Sequence, residues 1–325
     1  MIVKKRSFFE LQIDKIKKDP KGFFFISLMR FSFYLVLIVL LMILGKIVIE
    51  GWGVVSFEFI FSEPKNNMTE GGIWPAIFGT LAVTFIMVLF AVPIGVFSAI
   101  YLSEYAKDSF LTRIIRTAIN NLAGVPSIVF GLFGLGFFIL FVGRGIDEFF
   151  GIPLLFGQPA LIWASATLSV LVLPIVIVST LEALNSVPKS HRDAAYGLGA
   201  TKWQTIKSVV LPQARPGILT GTILAVSRGM GETAPILFLG CAFFLPHLPV
   251  ADFGIGDYYI TFIDPTQQFM YLAYHIFILA TQSSNPTLTL PLQYGSTLVL
   301  ISLTLLLNIT AIIFRYRFRK AIGRI

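Results

Sequence analysis

Long runs of apolar residues, separated by short polar stretches, recur along most of the chain. Each run has about 20 residues or more, the length that a helix needs to cross the hydrocarbon core of a bilayer. A membrane β-barrel would instead show short segments in which apolar and polar residues alternate. The pattern therefore predicts an all-α membrane protein with six transmembrane helices, at about 26–49, 74–101, 122–142, 159–181, 216–239 and 294–314.

The polar stretches divide the chain into one central membrane domain, 26–314, and two short basic ends. Residues 1–25 form a basic N-terminal segment, and residues 315–325 form a basic tail. A polar loop, 186–213, connects the fourth and fifth predicted spans, and a longer segment, 240–293, connects the fifth and sixth.

Lysines and arginines are distributed unevenly between the two sides of this arrangement. With residue 1 in the cytosol, 21 of the 25 lie in cytosolic segments, and Arg228 lies within a span. Cytoplasmic segments of membrane proteins carry such an excess. We therefore expect both termini and the loop 186–213 to be cytosolic, and 240–293 to be extracytoplasmic. Residues 268–282 are apolar but too short to cross the bilayer, so we expect an interfacial or re-entrant helix there.

Composition agrees with a membrane protein and excludes several functions. Hydrophobic residues make up 56% of the 325 positions and charged residues only 13%, whereas about 25% charged is typical of soluble domains. The net charge of +8 is explained by cations that fix topology, so we expect no nucleic acid partner. One cysteine and three widely separated histidines predict no metal site. Without a G-x-x-x-x-G-K-[ST] loop, we expect no nucleotide site and no enzymatic activity in this chain.

Two charged residues interrupt the fifth predicted span. Arg228 lies near its centre, and Glu232 follows four residues later on the same helix face. Ser227 and Thr233 make the surroundings small and polar. An arginine at this depth costs about 2.5–3.5 kcal/mol on insertion scales. One interpretation is an internal ion pair that neutralises its own burial; the other is a fixed cation on an anion pathway, held in place by Glu232.

Prolines are expected to bend four of the predicted spans. The residues are Pro93, Pro126, Pro174 and Pro235. Proline removes a backbone hydrogen bond and clashes with the preceding turn of a helix. Pro235 would also free the carbonyl of Gly231, close to the charged pair.

The loop between the fourth and fifth spans carries a spaced series of residues: Asp193, Ala194, Ala195, Gly199, Leu211 and Pro212. A solvated amphipathic linker would explain its composition. Its spacing, however, resembles the loop of ABC-importer permeases, which reads Glu-Ala-Ala, then Gly, then Ile-x-Leu-Pro. In that family the loop forms a coupling helix that sits on the ATPase subunit. Asp193 replaces the glutamate here and keeps its charge.

Further segments resemble the phosphate-import permeases of this family. They are GGIWPAIFGT (71–80), AIYLSEYA (99–106), LAGVPSIVFGLFG (122–134) and GMGETAPILF (229–238). The Gly-Glu-Thr-Ala-Pro form at 231–235 is more similar to the PstA type than to the PstC type. The resemblance covers most of residues 71–314.

This resemblance implies the type I ABC importer permease fold and a place in a bacterial inner membrane. It implies inorganic phosphate as the substrate passing Arg228 by alternating access. The implied partners are a PstC-type permease subunit, a PstB-type ATPase dimer that holds ATP and Mg²⁺, and a PstS-type phosphate-binding protein. The chain itself would bind no cofactor. An ABC permease for molybdate or sulfate remains the alternative. A secondary transporter is a weaker one, because Glu232 is the only carboxylate within a predicted span.

Overall fold

The computed structural model describes residues 19–255, 258–283 and 285–322. Most of the predicted N-terminal segment and the end of the basic tail lie outside these ranges. Within them, six helices are long and apolar enough to cross a membrane, which confirms the all-α architecture. Spans 1 to 6 are Lys21–Trp52, Trp74–Tyr105, Ser127–Phe150, Leu161–Asn185, Lys202–Gly231 and Pro286–Arg317.

Three of the spans change helix type along their length. Span 2 is α-helical over Trp74–Ile100 and ends in a π-helical turn, Tyr101–Tyr105. The remaining pieces are α-helices Ser127–Phe133 and Arg144–Phe150 around π-helix Gly134–Gly143 in span 3, and Lys202–Thr205, π-helix Ile206–Val210 and Leu211–Gly231 in span 5. The first helix begins at Pro20, and the last continues to Ile322.

Short elements connect the spans. The shorter α-helices are Phe57–Phe61, Phe110–Leu122, Lys189–Gly197 and Leu272–Thr281, and 3-10 turns cover Asn66–Met68 and Ile236–Phe238. Two antiparallel hairpins pair Pro64–Lys65 with Glu70–Gly71 and Val250–Ile255 with Tyr258–Ile263. The apolar stretch 268–282 thus contains a ten-residue helix that is too short to span, and Leu272 N–H donates to Thr80 Oγ1 near the start of span 2.

Span 4 lies at the centre of the bundle, between spans 2 and 5. Its apolar side chains, such as Leu168 and Val172, are fully buried together with Met87 of span 2. Glycines allow the close approach, because small residues let transmembrane helices pack at short distance. Gly95 of span 2 lies against Val176, and Gly221 of span 5 lies against Ser179.

Spans 1 and 6 pack side by side at the edge of the bundle, with Gly51 against the backbone of Tyr294. Their apolar side chains are largely exposed, as a lipid-facing helix requires. The start of span 1 and the end of span 6 lie on one side of the bundle, which we name the terminal side. The connection 186–201 lies on this side as well, since it leads into span 5, where Thr220 accepts from Arg315 near the end of span 6. The connection 106–126 follows span 2 on the same side, where Arg192 contacts Glu104.

Candidate functional site

Span 5 breaks off at mid-depth of the bundle. Its helix ends at Gly231, and Glu232 has the extended backbone angles φ −76° and ψ 126°. Gly229 lies against Met87 and Val172, each near the middle of its own span. Gly240 lies against Ala160, just before the start of span 4. Apart from the 3-10 turn Ile236–Phe238, residues 232–239 therefore cross half of the bundle without helix, and the predicted end of the fifth span at 239 is wrong.

The local sequence explains the break. Gly229 and Gly231 are weak helix formers, and Pro235 has no N–H for a helix to continue through. The freed end of the helix is capped from two directions. Tyr271 donates its hydroxyl to the Gly229 carbonyl at 2.8 Å, and the Glu232 N–H reaches the same oxygen at 3.3 Å. Irregular backbone at membrane depth requires such partners, or a polar cavity.

Arg228 and Glu232 form the predicted ion pair, with a different geometry from the prediction. Glu232 follows the end of the helix instead of lying on its face. The pair rests on one contact of 3.3 Å between Arg228 Nε and Glu232 Oε1, and the two side chains are 37% and 16% exposed. Among the described residues, the two terminal nitrogens of Arg228 have no hydrogen-bond partner. They remain available for an anion, and arginine binds oxyanions in pairs of hydrogen bonds.

Arg228 lies on the outward face of span 5. The residues exposed along this face are Thr220, Leu224 and Gly231, at the spacing of successive helical turns. A charged side chain at this depth is not stable against lipid. The geometry therefore indicates that a polar cavity or another protein surface covers this face.

Ser227 points to span 6, where its Oγ lies 2.6 Å from Asn308 Oδ1. Asn308 was missed by the sequence analysis, although it stands out in the otherwise apolar run TLLLNITAIIF. Thr233 lies in the irregular segment beyond the break, and its side chain makes no hydrogen bond within the described part of the chain. The structure thus brings Arg228 and Glu232 together and joins Ser227 to Asn308, but it shows no contact that ties Thr233 to them.

The four predicted helix bends divide into two groups. Pro93 and Pro174 lie inside the helices of spans 2 and 4, where a bend at each stays a prediction. Pro126 and Pro235 do not bend helices, because each directly precedes one: Pro126 the helix of span 3, and Pro235 the 3-10 turn Ile236–Phe238. A proline is tolerated at a helix start because the N–H it lacks has no intrahelical partner there.

The loop 186–213 forms two helices joined by a tight turn. Asp193, Ala194 and Ala195 lie in the helix Lys189–Gly197. Gly199 adopts a positive φ of 79°, a conformation that favours glycine. Thr201 then starts span 5 with a capping box, and Leu211 and Pro212 begin its longest α-helix.

Large apolar side chains are exposed around this turn. Leu198 is 91% exposed, and Tyr196 and Trp203 are about half exposed. Clustered apolar surface bordered by polar residues is typical of sites that contact a protein or a membrane. We name the helix Lys189–Gly197 the coupling helix.

The comparison with protein families decides the assignment. A family described as the binding-protein-dependent transport system inner membrane component matches residues 91–324. The chain belongs to this family. It is a multi-pass membrane permease of the ABC importer type.

Relatives within the family are named as permease proteins. The permease is 36% identical over 200 residues to the probable ABC transporter permease protein YqgI of Bacillus subtilis (strain 168), over 62% of this chain and 64% of the relative. It is also 36% identical over 229 residues to the phosphate transport system permease protein PstA of Mycobacterium leprae (strain TN), over 69% of each chain. A PstC protein of Mesorhizobium japonicum is 34% identical over 62% of this chain and 68% of the relative. The match spans less than two thirds of YqgI.

Solved structures of ABC importers have the same fold. A bacterial alginate ABC transporter aligns with a TM-score of 0.63 at 15% identity, over 92% of this chain and 94% of its own. The MetNI methionine ABC transporter aligns with a TM-score of 0.56 at 18% identity, over 76% and 97%. These likenesses confirm the predicted type I importer fold. The cytosolic location of the two termini remains a prediction.

Proposed function

We propose that this permease is the membrane-spanning subunit of an ATP-driven importer of inorganic phosphate in a bacterial inner membrane. The observation that carries the proposal is Arg228 at the break of span 5, with its two terminal nitrogens unpaired among the described residues. Relatives named phosphate transport system permease proteins, both PstA and PstC, support the same substrate.

The outward position of Arg228 argues for a second permease subunit. An arginine near the bilayer centre costs about 2.5–3.5 kcal/mol on insertion scales, and the penalty is avoided when it lines a polar path. A PstC-type subunit against Thr220, Leu224 and Gly231 would enclose Arg228 between the two proteins. The pathway would then run along this interface.

Glu232 supports phosphate over other oxyanions. An ionised carboxylate can only accept hydrogen bonds. Inorganic phosphate keeps a P–OH group near neutral pH, which can donate a hydrogen bond to Glu232 while Arg228 binds the other oxygens. Sulfate and molybdate have no such proton and would only be repelled by the carboxylate. A site that bonds a substrate hydroxyl rejects analogues without it.

The weakness of the pair suits transport. Conduction requires binding that is strong enough for entry and weak enough for release. A single contact of 3.3 Å leaves Glu232 easily displaced by a phosphate and able to return when the phosphate leaves. The internal ion pair and the phosphate-bound arginine would then be two states of the same site.

The coupling helix would transmit the energy of ATP. We place it and both termini in the cytosol, where it docks on a PstB-type ATPase dimer that carries ATP and Mg²⁺. Tyr196, Leu198 and Trp203 supply exposed apolar surface for this contact. A PstS-type protein would deliver phosphate on the opposite side. Closure of the ATPase dimer would move the coupling helix and rock spans 2, 4 and 5.

The test uses the complete complex in proteoliposomes. Arg228→Gln should abolish phosphate uptake while assembly and ATP hydrolysis persist. Arg228→Lys, which keeps the charge but not the paired donors, should retain part of the uptake. Normal uptake by Arg228→Gln would show that phosphate does not pass this residue.

Selectivity provides the second arm. Glu232→Gln should raise inhibition of phosphate uptake by external sulfate, because the repelling charge is gone. If sulfate inhibits both proteins equally, the carboxylate does not select the substrate. Uptake that continued without the ATPase would instead favour a secondary transporter.

A further inference from the structure

A second arginine–glutamate pair joins the coupling helix to the bundle. Arg192 Nη2 donates to Glu104 Oε1 at 2.9 Å, and the two side chains are only 15% and 8% exposed. Glu104 lies in the π-helical turn that ends span 2, and Arg192 lies in the middle of the coupling helix. The residues are 88 positions apart, so the pair is purely tertiary.

Arg192 also holds the end of span 4. Its guanidinium donates to the carbonyl of Val187 at 2.6 Å and to that of Leu184 at 2.9 Å. Carbonyls at the end of a helix lack intrahelical donors and carry partial negative charge, so a cation is favourable there. One side chain thus fastens the coupling helix to two spans at once. Ser103 and Asn185, 3.2 Å apart, join the same two span ends beside it.

The connection to span 5 is of a different kind. His191 Nδ1 lies 2.8 Å from Gln213 Oε1, but this contact is exposed to solvent. The chain between the coupling helix and span 5 also turns through Gly199, at a positive φ. Exposed polar contacts contribute little, whereas a shielded, multiply bonded arginine resists separation.

We propose that Arg192 and Glu104 are positioning residues that make the coupling helix and the ends of spans 2 and 4 move as one body. The inference rests on the proposed docking of the ATPase at this helix. Movement of the helix then reaches spans 2 and 4 through Arg192, and it reaches span 5 through the glycine turn and through packing on Ile206–Val210. Without the pair, the ATPase would move the coupling helix, but less of this movement would reach the ends of spans 2 and 4.

The measurement is the number of phosphate ions imported per ATP hydrolysed by the assembled complex. Arg192→Gln should lower this ratio by about tenfold, and Glu104→Gln should lower it by less, because only the first change also removes the bonds to the Val187 and Leu184 carbonyls. The double variant should be no worse than Arg192→Gln alone, since the Arg192–Glu104 interaction is already lost in that variant. Arg192→Lys, a milder change, should give an intermediate ratio. A purely structural role would reduce the yield of complex and leave the ratio per complex unchanged.

The pair Arg113–Asp108 on the same side is a matched control. It has the same length, 2.9 Å, but both side chains are more than 70% exposed. The hydrogen bond from Arg113 lowers the pKa of Asp108, so this pair is ionised at neutral pH. Arg113→Gln should leave the ratio at the wild-type value. An equal fall in both variants would overturn the inference, because it would reflect lost charge alone.

A reversible cross-link separates coupling from folding. In a Cys241→Ala background, Glu104→Cys with Arg192→Cys should be uncoupled until a bifunctional methanethiosulfonate reagent bridges the two thiols, and reductant should uncouple it again. No recovery on bridging would contradict a mechanical role. If the wild-type complex hydrolyses ATP but imports no phosphate, the proposed function fails instead.

Discussion

The two arginine–glutamate pairs of this permease are opposites in construction. Arg192–Glu104 is short and shielded, and its arginine also bonds to a carbonyl of span 4 and to one in the connection after it. Arg228–Glu232 is longer and more exposed, and it is built within five residues of one span. The geometry of the first pair favours a permanent contact, and that of the second favours a contact that can open. The role of an ion pair in this permease therefore follows from the other hydrogen bonds of its arginine and from its exposure, since the charges of the two pairs are the same.

The difference follows from what surrounds each arginine. Arg192 lies beside the end of span 4, where it adds a donor to the Leu184 carbonyl, which also accepts from the Val187 N–H, and bonds to the Val187 carbonyl. Arg228 lies in the last turn before a break, where Tyr271 and the Glu232 N–H already bond to the Gly229 carbonyl. The terminal nitrogens of Arg228 therefore have no competing acceptor among the described residues.

The largest expected effect sets the two glutamates against each other. Glu104→Gln should destabilise the complex by up to about 3–5 kcal/mol, because it leaves a shielded arginine without its counter-charge. Glu232→Gln should cost less than about 1 kcal/mol, because the polar pathway proposed along this face would solvate Arg228, whose side chain is 37% exposed. Thermal unfolding of the two purified complexes measures the difference. Equal losses would contradict the contrast between the pairs.

Most of the fold was predictable from the sequence, because hydropathy over about 20 residues determines which helices can span. The end of span 5 was not, since apolar residues continue through 236–239 after the helix has stopped. Gly229, Gly231 and Pro235 favour a break at this point, whereas hydropathy alone favours a helix that continues to 239.

In the candidate site, contacts between residues close in sequence were predictable, whereas contacts between distant residues were not. Arg228 and Glu232 are four residues apart and could be recognised as a pair in the sequence. Asn308 is 81 positions from Ser227, and Glu104 is 88 positions from Arg192. Contacts at such separations depend on how the spans pack, and no local pattern encodes them.

The position of Glu232 in the Arg228–Glu232 pair also depends on how span 3 packs against the irregular segment 232–239. A Cβ on Gly131 of span 3 would lie 2.8 Å from Pro235 Cα and 2.9 Å from its carbonyl oxygen, so backbone would have to move. We expect Gly131→Ala to destabilise the complex by about 1–3 kcal/mol and to lower uptake by displacing Glu232. Gly136→Ala in the same span meets nothing within 4 Å and is the control. If both variants transport normally, the position of segment 232–239 is not critical.

The glycine turn at Gly199 connects the coupling helix, which carries Arg192, to span 5. Gly199→Ala must adopt φ near 79° with a Cβ, which costs about 1–2 kcal/mol. We expect a slightly lower melting temperature and a lower ratio of phosphate to ATP, because span 5 follows the coupling helix through this turn. Gly197→Ala, two residues earlier and without a positive φ, should be neutral in both measurements. A loss in Gly197→Ala as large as in Gly199→Ala would show that the backbone conformation is not the cause.

The smallest expected effect concerns the cap of the broken helix. Tyr271→Phe removes the hydroxyl that donates to the Gly229 carbonyl at 2.8 Å. The carbonyl keeps the Glu232 N–H as a partner, so the loss should be near that of one hydrogen bond, about 0.5–1.5 kcal/mol. Tyr274→Phe is the matched control, because its hydroxyl has no partner within the described part of the chain. Thermal unfolding of both variants measures the contribution of the Tyr271 hydroxyl to stability, and phosphate uptake measures its effect on transport.

Since the remaining N–H belongs to Glu232 itself, losing the hydroxyl should bind this residue more firmly to the helix end. Phosphate uptake should then slow modestly; faster uptake would mean that the cap, and not the ion pair, restrains opening.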